Sequence, residues 1–404
     1  MTGPPDVIVI GGGIAGVAIT RALGLAGKEV LLLEQAQQFG EIGAGIQLGP
    51  NAVRSLDRLG VWEDLRPLAV TPRSTIVMDA VRKERLTALD FGDRFVARYG
   101  YPYVVTHRHD LLEALVAAAR RTPGVTMQTN ARVVTVEDGP DHATVHLEGG
   151  ASIRSTVVVG ADGIHSKVRR LHDDSEPLFT GQVAYRGTVP IADADLGFDP
   201  TDMILWIGPN RHLIQYPVRG GQLYNQVAVF ESGWAKDGRA GWGERAELAE
   251  VFADSCDTVL AALDLFDSHR VWPIYDRDPL TSWVTQHTVL IGDAAHAMRQ
   301  YLAQGACQAL EDVLVLTHEL VHHREPQDAF RTYQERRLAK TTKCQLVARP
   351  WGDLWHTTDP MVTTLRDRYF RLRADDDYSE LDWLYADHVG HGVPHASAHE
   401  RNGI

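Results

Sequence analysis

Short apolar runs with no polar member punctuate the chain. Val7–Ile10, Val30–Leu33, 157–159 and 289–291 are of this kind, filled by Val, Ile and Leu. Such runs predict strands covered on both faces, as in a parallel sheet. Residues 14–26, rich in Ala, Leu and Ile, predict a helix between the first two. Residues 110–121, with Asp110 near the start, and 244–264 and 305–322, the last opened by Gly305, predict further helices. Residues 125–137 and 142–148 read as a hairpin around Asp138-Gly139-Pro140-Asp141. From about 181 to 232 the style changes. Segments 182–190, 203–207, 212–218 and 222–231 are strand-like and separated by Gly or Pro turns. They predict a mostly antiparallel sheet inserted into the first unit.

The first run leads directly into Gly11-Gly12-Gly13-Ile14-Ala15-Gly16, so Gly11, Gly13 and Gly16 form G-x-G-x-x-G between a strand and a helix. Gly11 allows the tight turn, Gly13 lets backbone approach a pyrophosphate, and Gly16 lets the helix pack on the sheet. Glu34 closes the second strand, where a carboxylate can accept bonds from a ribose hydroxyl. A glycine triplet alone is weak evidence. In this context it predicts a dinucleotide site, with NAD and FAD both open. No second such unit follows, so the chain has one dedicated dinucleotide site.

Composition narrows the partners. The 404 residues are 44% hydrophobic and 23% charged, ordinary for a globular protein and unlike a disordered or fibrous chain. Forty Lys and Arg against 53 Asp and Glu give a formal charge of −13, which disfavours nucleic acid. Cys256, Cys307 and Cys344 stand far apart without a CxxC pair. That spacing fits a reducing compartment and argues against disulfides or a Cys-rich zinc site. The N-terminus lacks a basic leader and its first apolar run is too short to span a membrane, so a cytoplasmic protein is expected. His388, His391, His395 and His399 lie in a Gly-, Pro- and Ala-containing tail that reads as a flexible end rather than a metal site.

Four segments together resemble the single-component flavoprotein aromatic hydroxylases of the para-hydroxybenzoate hydroxylase fold. They are the GxGxxG turn with Glu34; Thr106-His107-Arg108-His109-Asp110-Leu111; Gly160-Ala161-Asp162-Gly163 followed by Ser166, Lys167 and Arg169; and Gly292-Asp293-Ala294-Ala295-His296. The resemblance covers about residues 6–387 and implies an α/β fold. A Rossmann-like FAD-binding domain of glutathione-reductase type (1–72, 100–175 and 270–350) would carry an inserted, mostly antiparallel substrate domain (73–99 and 176–269). C-terminal helices (351–387) and a flexible tail (388–404) would follow. The resemblance implies FAD rather than NAD as bound cofactor. Arg108 would lie along the flavin, Asp162 and Asp293 would sit at the cofactor, and the helix opening at Gly305 and Ala306 would aim its N–H groups at the flavin. NADH or NADPH would visit transiently, O2 would be co-substrate, and a homodimer is implied.

Further stretches, among them 184–188, 214–217, 225–232 and 300–303, are similar to the branch that hydroxylates 3-hydroxybenzoate to gentisate, para to the existing hydroxyl, through a flavin C4a-hydroperoxide. That likeness implies a substrate pocket containing Tyr103, His212, Tyr216 and Gln300. Strand alternation independently puts His212, Ile214 and Tyr216 on one face. An imidazole is suited to taking a phenolic proton near neutral pH; a hydrogen-bonded sheet histidine is the plain alternative. The family has proline after the histidine of its Gly-Asp segment, whereas this chain has Ala297, followed by Met298 and Arg299. These departures make hydroxylation of a larger secondary-metabolite phenol an alternative; decarboxylative hydroxylation, as in the related salicylate and 6-hydroxynicotinate hydroxylases, is a second, and a non-catalytic binding protein on the same fold is a third. His296 has no second ligand at i+3 or i+4, so no metal is expected there, and Cys307 reads as a packed small residue.

Overall fold

The computed structural model describes residues 5–40, 44–193, 198–266 and 271–387. The His-containing tail lies outside them. The apolar runs form a five-stranded parallel sheet in the order Thr288–Leu290, Val157–Gly160, Val7–Ile10, Val30–Leu33, Val125–Gln128. Val7–Ile10 is central, with its residues at most 3% exposed, as a strand covered on both faces must be. Helix Ile14–Leu25 returns across the sheet and packs against helices Arg108–Arg120 and Gly305–His322.

One expected hairpin is not there as drawn. Val125–Gln128 joins the parallel sheet, Asn130 adopts a left-handed backbone (φ 53°), and only Val133–Asp138 pairs with Ala143–Leu147. Ser152–Ser155 completes a separate three-stranded sheet. A single residue in the left-handed region thus divides what reads in sequence as one continuous strand.

The second sheet has seven strands, in the order Trp272–Asp276, Leu178–Pro190, Leu223–Glu231, Arg211–Val218, Met203–Gly208, Ser74–Asp79, Arg85–Asp90. All pairings are antiparallel except Met203–Gly208 with Ser74–Asp79. Trp272–Asp276 pairs with Leu178–Pro190, so the sheet extends past the boundary expected at 270. One face, carrying Tyr185, Trp206, Leu213 and Phe230, packs on Phe252, Val259 and Phe266 around helices Arg245–Val251 and Asp257–Asp264. The other face carries His212, Ile214 and Tyr216 toward the parallel-sheet part.

Helix Pro326–Trp355, 30 residues long, runs beside Gly305–His322. Arg337 on it is 2% exposed and donates to Asp312 Oδ1 (2.8 Å), Glu311 Oε2 (2.5 Å) and Gln308 Oε1 (2.7 Å). Lys340 adds a bond to Glu311 at 2.8 Å. The other oxygen of Asp312 accepts from Gly292 N (3.0 Å) and pairs with His296 Nε2 (2.6 Å). The histidine considered for a metal therefore has a carboxylate as partner. Burial alone would raise both acids, but the facing cations hold Glu311 and Asp312 below the ordinary carboxylate range.

Replacing Arg337 with Met would leave two buried carboxylates without their shared cation. Arg337→Met is expected to lower unfolding free energy by about 3–5 kcal/mol near pH 7, read by denaturant titration. Because the native acids titrate below their unfolded values, the wild-type contribution is complete above the unfolded carboxylate range and is lost as pH falls through the native values. The gap between the two proteins should therefore narrow in acid.

Candidate active site

A cavity of about 460 Å3 lies where the carboxyl ends of the parallel strands meet the inner face of the second sheet. The parallel-sheet part contributes Gly13, Ile14, Ala15, Arg108, Ala161, Gly163, Asp293, Gln304, Gly305 and Ala306. The second sheet contributes Arg186, His212, Ile214, Tyr216 and Val227; Gln47, Met298, Gln300, Tyr301 and Trp355 also line the cavity.

The three motif glycines do different work. A Cβ on Gly16 would lie 1.8 Å from the Gly11 carbonyl oxygen, and one on Gly11 2.4 Å from that of Ala161. Backbone packing alone requires these two. A Cβ on Gly13 would meet nothing within 4 Å among the described residues, yet Gly13 lines the cavity, so its bareness leaves open space there. Helix Ile14–Leu25 has no side-chain cap, and its first N–H groups and positive dipole end are available to an anionic group. Glu34 accepts from Gly12 N at 2.6 Å and Ala36 N at 2.7 Å, which ties the second strand to the glycine turn. Each of its oxygens keeps a lone pair for a hydroxyl.

Asp162 turns its carboxylate into its own loop, accepting from Ser166 Oγ (2.5 Å) and Lys167 N (2.6 Å). The cavity is faced by its neighbours Ala161 and Gly163. Burial raises the Asp162 pKa while these bonds oppose the rise. Arg108, exposed Asp293, Gly305 and Ala306 all stand on the cavity wall. Helix Gly305–His322 likewise has no side-chain cap. Just before it, buried Gln304 accepts from Asn51 (3.1 Å) and Gln308 (2.7 Å) through Oε1 while its Nε2 lacks a partner among the described residues. Two uncapped helix starts, a glycine with open space and an orphaned buried amide fit a cofactor with a pyrophosphate and a polar ring.

His212 is 2% exposed, and its Nδ1 lies 2.7 Å from Nε2 of His356. Its ring packs 5.5 Å from Tyr301 and 5.4 Å from Trp355, centroid to centroid. Desolvation first, then His356, pushes the His212 pKa well down, so the ring is neutral at physiological pH. Desolvation keeps the Tyr216 phenol protonated and able to donate. Gln300 lines the cavity with a buried Nε2 that has no partner among the described residues.

Tyr103 stands one layer back. Its hydroxyl donates to Gln47 Oε1 (2.7 Å), its ring stacks on Phe91 at 4.4 Å, and it is not itself on the cavity wall, which Gln47 lines. Ala297 keeps φ at −49°, close to what a proline ring imposes, and its carbonyl accepts from Gln345 Nε2 at 2.9 Å. Arg299 turns away to Asp276 (3.0 Å), whereas Met298 faces the cavity. Cys307 is buried, and desolvation pushes its thiol up to about 12, so it stays a thiol. Gln47, Trp355 and His356 escaped the sequence reading. The only signal for the last two was an aromatic-rich Trp351-Gly352-Asp353-Leu354-Trp355-His356 stretch with no recognisable motif.

A family model described as FAD binding domain matches residues 5–346. The 3-hydroxybenzoate 6-hydroxylase of Polaromonas naphthalenivorans (strain CJ2) is 35% identical over 95% of this chain and 96% of its own. The chain is a single-component FAD-dependent aromatic hydroxylase. The 3-amino-4-hydroxybenzoate 2-monooxygenase of Streptomyces cremeus is 34% identical over 97% of both chains. A solved salicylate hydroxylase substrate complex superposes with a TM-score of 0.78 at 26% identity, covering 95% of this chain and 96% of that one. The hydroxylase is thus an FAD-binding α/β protein with an inserted sheet. Among the described residues no helix is long and apolar enough to cross a membrane.

Gly13 and Gly16 separate cofactor binding from folding. Gly13→Leu should fold, with the thermal midpoint of its flavin-free form near that of the parent, while FAD affinity falls at least about tenfold in fluorescence titration. Gly16→Leu should not yield folded protein, because its side chain would overlap the Gly11 carbonyl.

Proposed function

We propose that this hydroxylase converts 3-hydroxybenzoate to gentisate, with NADH or NADPH as a transient reductant. The observation that carries the reading is one wall presenting a neutral imidazole, an unpartnered amide N–H and a protonated phenol together, from His212, Gln300 and Tyr216. The likeness to 3-hydroxybenzoate 6-hydroxylase supports the choice of substrate.

The glycine turn, Glu34, Arg108, Asp293 and the helix opening at Gly305 would hold FAD, which, reduced by NAD(P)H, would supply activation of O2 and delivery of one oxygen atom. The chain's own residues prepare the ring. His212, with Nδ1 engaged by His356, accepts the phenolic proton at Nε2 and so makes the ring electron-rich. Gln300 Nε2 donates to the resulting phenolate oxygen, and the Tyr216 hydroxyl donates to the carboxylate. Ile214, Val227, Met298 and Trp355 keep that part of the cavity apolar and exclude water.

The likeness to salicylate hydroxylase supports a second reading, hydroxylation with loss of the carboxylate. Incubation with 18O2 and a panel of phenolic acids distinguishes them: labelled gentisate supports the first, and labelled catechol with released CO2 the second. Absence of label in any phenolic product would remove both. A homodimer in the cytoplasm belongs to the same reading, and sedimentation of the holoenzyme checks its assembly.

His212→Ala should retain FAD and still oxidise NAD(P)H. Its rate of product formation should fall by roughly 10²–10⁴, with the lost flux appearing as hydrogen peroxide. Parallel assays of coenzyme, peroxide and aromatic product measure this division.

A further inference from the structure

His212 leads away from the cavity as well as into it. His356, from the end of helix Pro326–Trp355, is 2% exposed, and its Nε2 faces His212 Nδ1 at 2.7 Å. Between two neutral imidazoles at that distance one nitrogen must donate and the other accept. His356 Nδ1 is buried without a hydrogen-bond partner among the described residues, and Glu231 Oε1 lies 3.9 Å from it. That separation is too long for a direct bond and suits a bridging water or a small rotation of the carboxylate. Glu231 ends the strand Leu223–Glu231, is 25% exposed, and pairs through its other oxygen with Lys236 Nζ at 2.7 Å. The turn is braced locally: Asn210 N donates to the His356 carbonyl (2.9 Å), and Glu231 N to the Asn210 carbonyl (2.8 Å). A file of three titratable groups thus runs from the cavity wall to the protein surface.

We propose that His356 and Glu231 relay the phenolic proton from His212 to solvent. The proposal rests on the reading of His212 as the group that takes this proton. The phenol O–H bond breaks as a proton reaches His212 Nε2; the His212 Nδ1 proton passes to His356 Nε2; the His356 Nδ1 proton passes to Glu231 and on to water. One proton leaves, and both rings end neutral with their protons on the other nitrogen. Reprotonation of the product oxygen through the same file restores the starting tautomers.

Electrostatics explains why a relay is needed rather than a proton store. Desolvation lowers His212, and desolvation with Arg299 pushes His356 down to about 3. Around the pair stand Arg299, Glu231 and Tyr301, the last donating its hydroxyl to Gln182 at 2.8 Å, with Trp355 against His212 and Lys236 beyond Glu231. An imidazolium is disfavoured at either ring, so a proton arriving on one side is best accommodated by release on the other.

The test mixes holoenzyme with 3-hydroxybenzoate in weak buffer and follows proton release with an indicator dye by stopped flow. Wild type should release up to one proton per site with a solvent deuterium isotope effect. His356→Phe should slow this phase at least about tenfold while the dissociation constant for 3-hydroxybenzoate changes much less. Glu231→Gln, altered at a more exposed position, should slow it by a smaller factor and serves if His356→Phe does not fold. Wild-type release rates in a folded His356 or Glu231 variant that binds 3-hydroxybenzoate would overturn the relay alone. Binding without proton release by the unaltered holoenzyme would remove the deprotonation reading, and the relay with it.

Discussion

One buried guanidinium fixes the geometry on which the cofactor half of the site depends. Arg337 joins Glu311 and Asp312 on one helix, and Asp312 in turn holds Gly292 N and His296. The strand end that presents Asp293 and the helix that opens at Gly305 are therefore tied to the same carboxylate. Burying charges is costly, and apolar residues could fill the same volume without that cost. Apolar packing is non-directional, however, whereas a two-oxygen acceptor between a backbone N–H and an imidazole fixes the turn in angle as well as in distance. Residues 293 and 305 both line the cavity, so an error in this turn would reach the cofactor directly.

The second-sheet wall of the cavity is fixed differently, by pleat. Residues on Arg211–Val218 alternate: Leu213 packs into the apolar layer over the outer helices, while His212, Ile214 and Tyr216 face the cavity. A slip of one residue in pairing with Leu223–Glu231 would exchange these sets. The register resists it, because the outer layer accommodates Phe230, Trp206 and Tyr185 and would have to accept an imidazole and a phenol in place of Leu213.

What was legible in the sequence follows from these two modes. Continuous Val, Ile and Leu runs marked the parallel strands because both their faces are buried, and alternation placed His212 beside Tyr216 because its period is local. The glycine motif was legible because a ligand and a close helix impose it at fixed spacing. Tyr103 was read as a pocket residue from resemblance, yet the chain sets Gln47 between it and the cavity, a layering that no periodicity reports. Asp162 belonged to a recognisable segment, but the donors around its carboxylate come from its own loop. His356 meets His212 across 144 positions of sequence. Nothing local marks such a contact, which exists only once the long helix has been laid against the second sheet.

The pairing of His212 with His356 also constrains what kind of base this site can contain. A carboxylate behind the imidazole would stabilise the imidazolium and favour a stored proton. A second neutral imidazole carries no charge to stabilise it, and burial penalises an imidazolium on either ring. The pair remains uncharged across the physiological range and can change only its tautomer. For the proposed deprotonation of substrate by His212 this has a further effect: no imidazolium would form beside the ring being made electron-rich, so its negative charge would not be drawn back by that group toward the phenolic oxygen. In the proposed reaction, deprotonation and activation of the ring would then proceed together, because the positive charge that opposes the second would be carried beyond the wall.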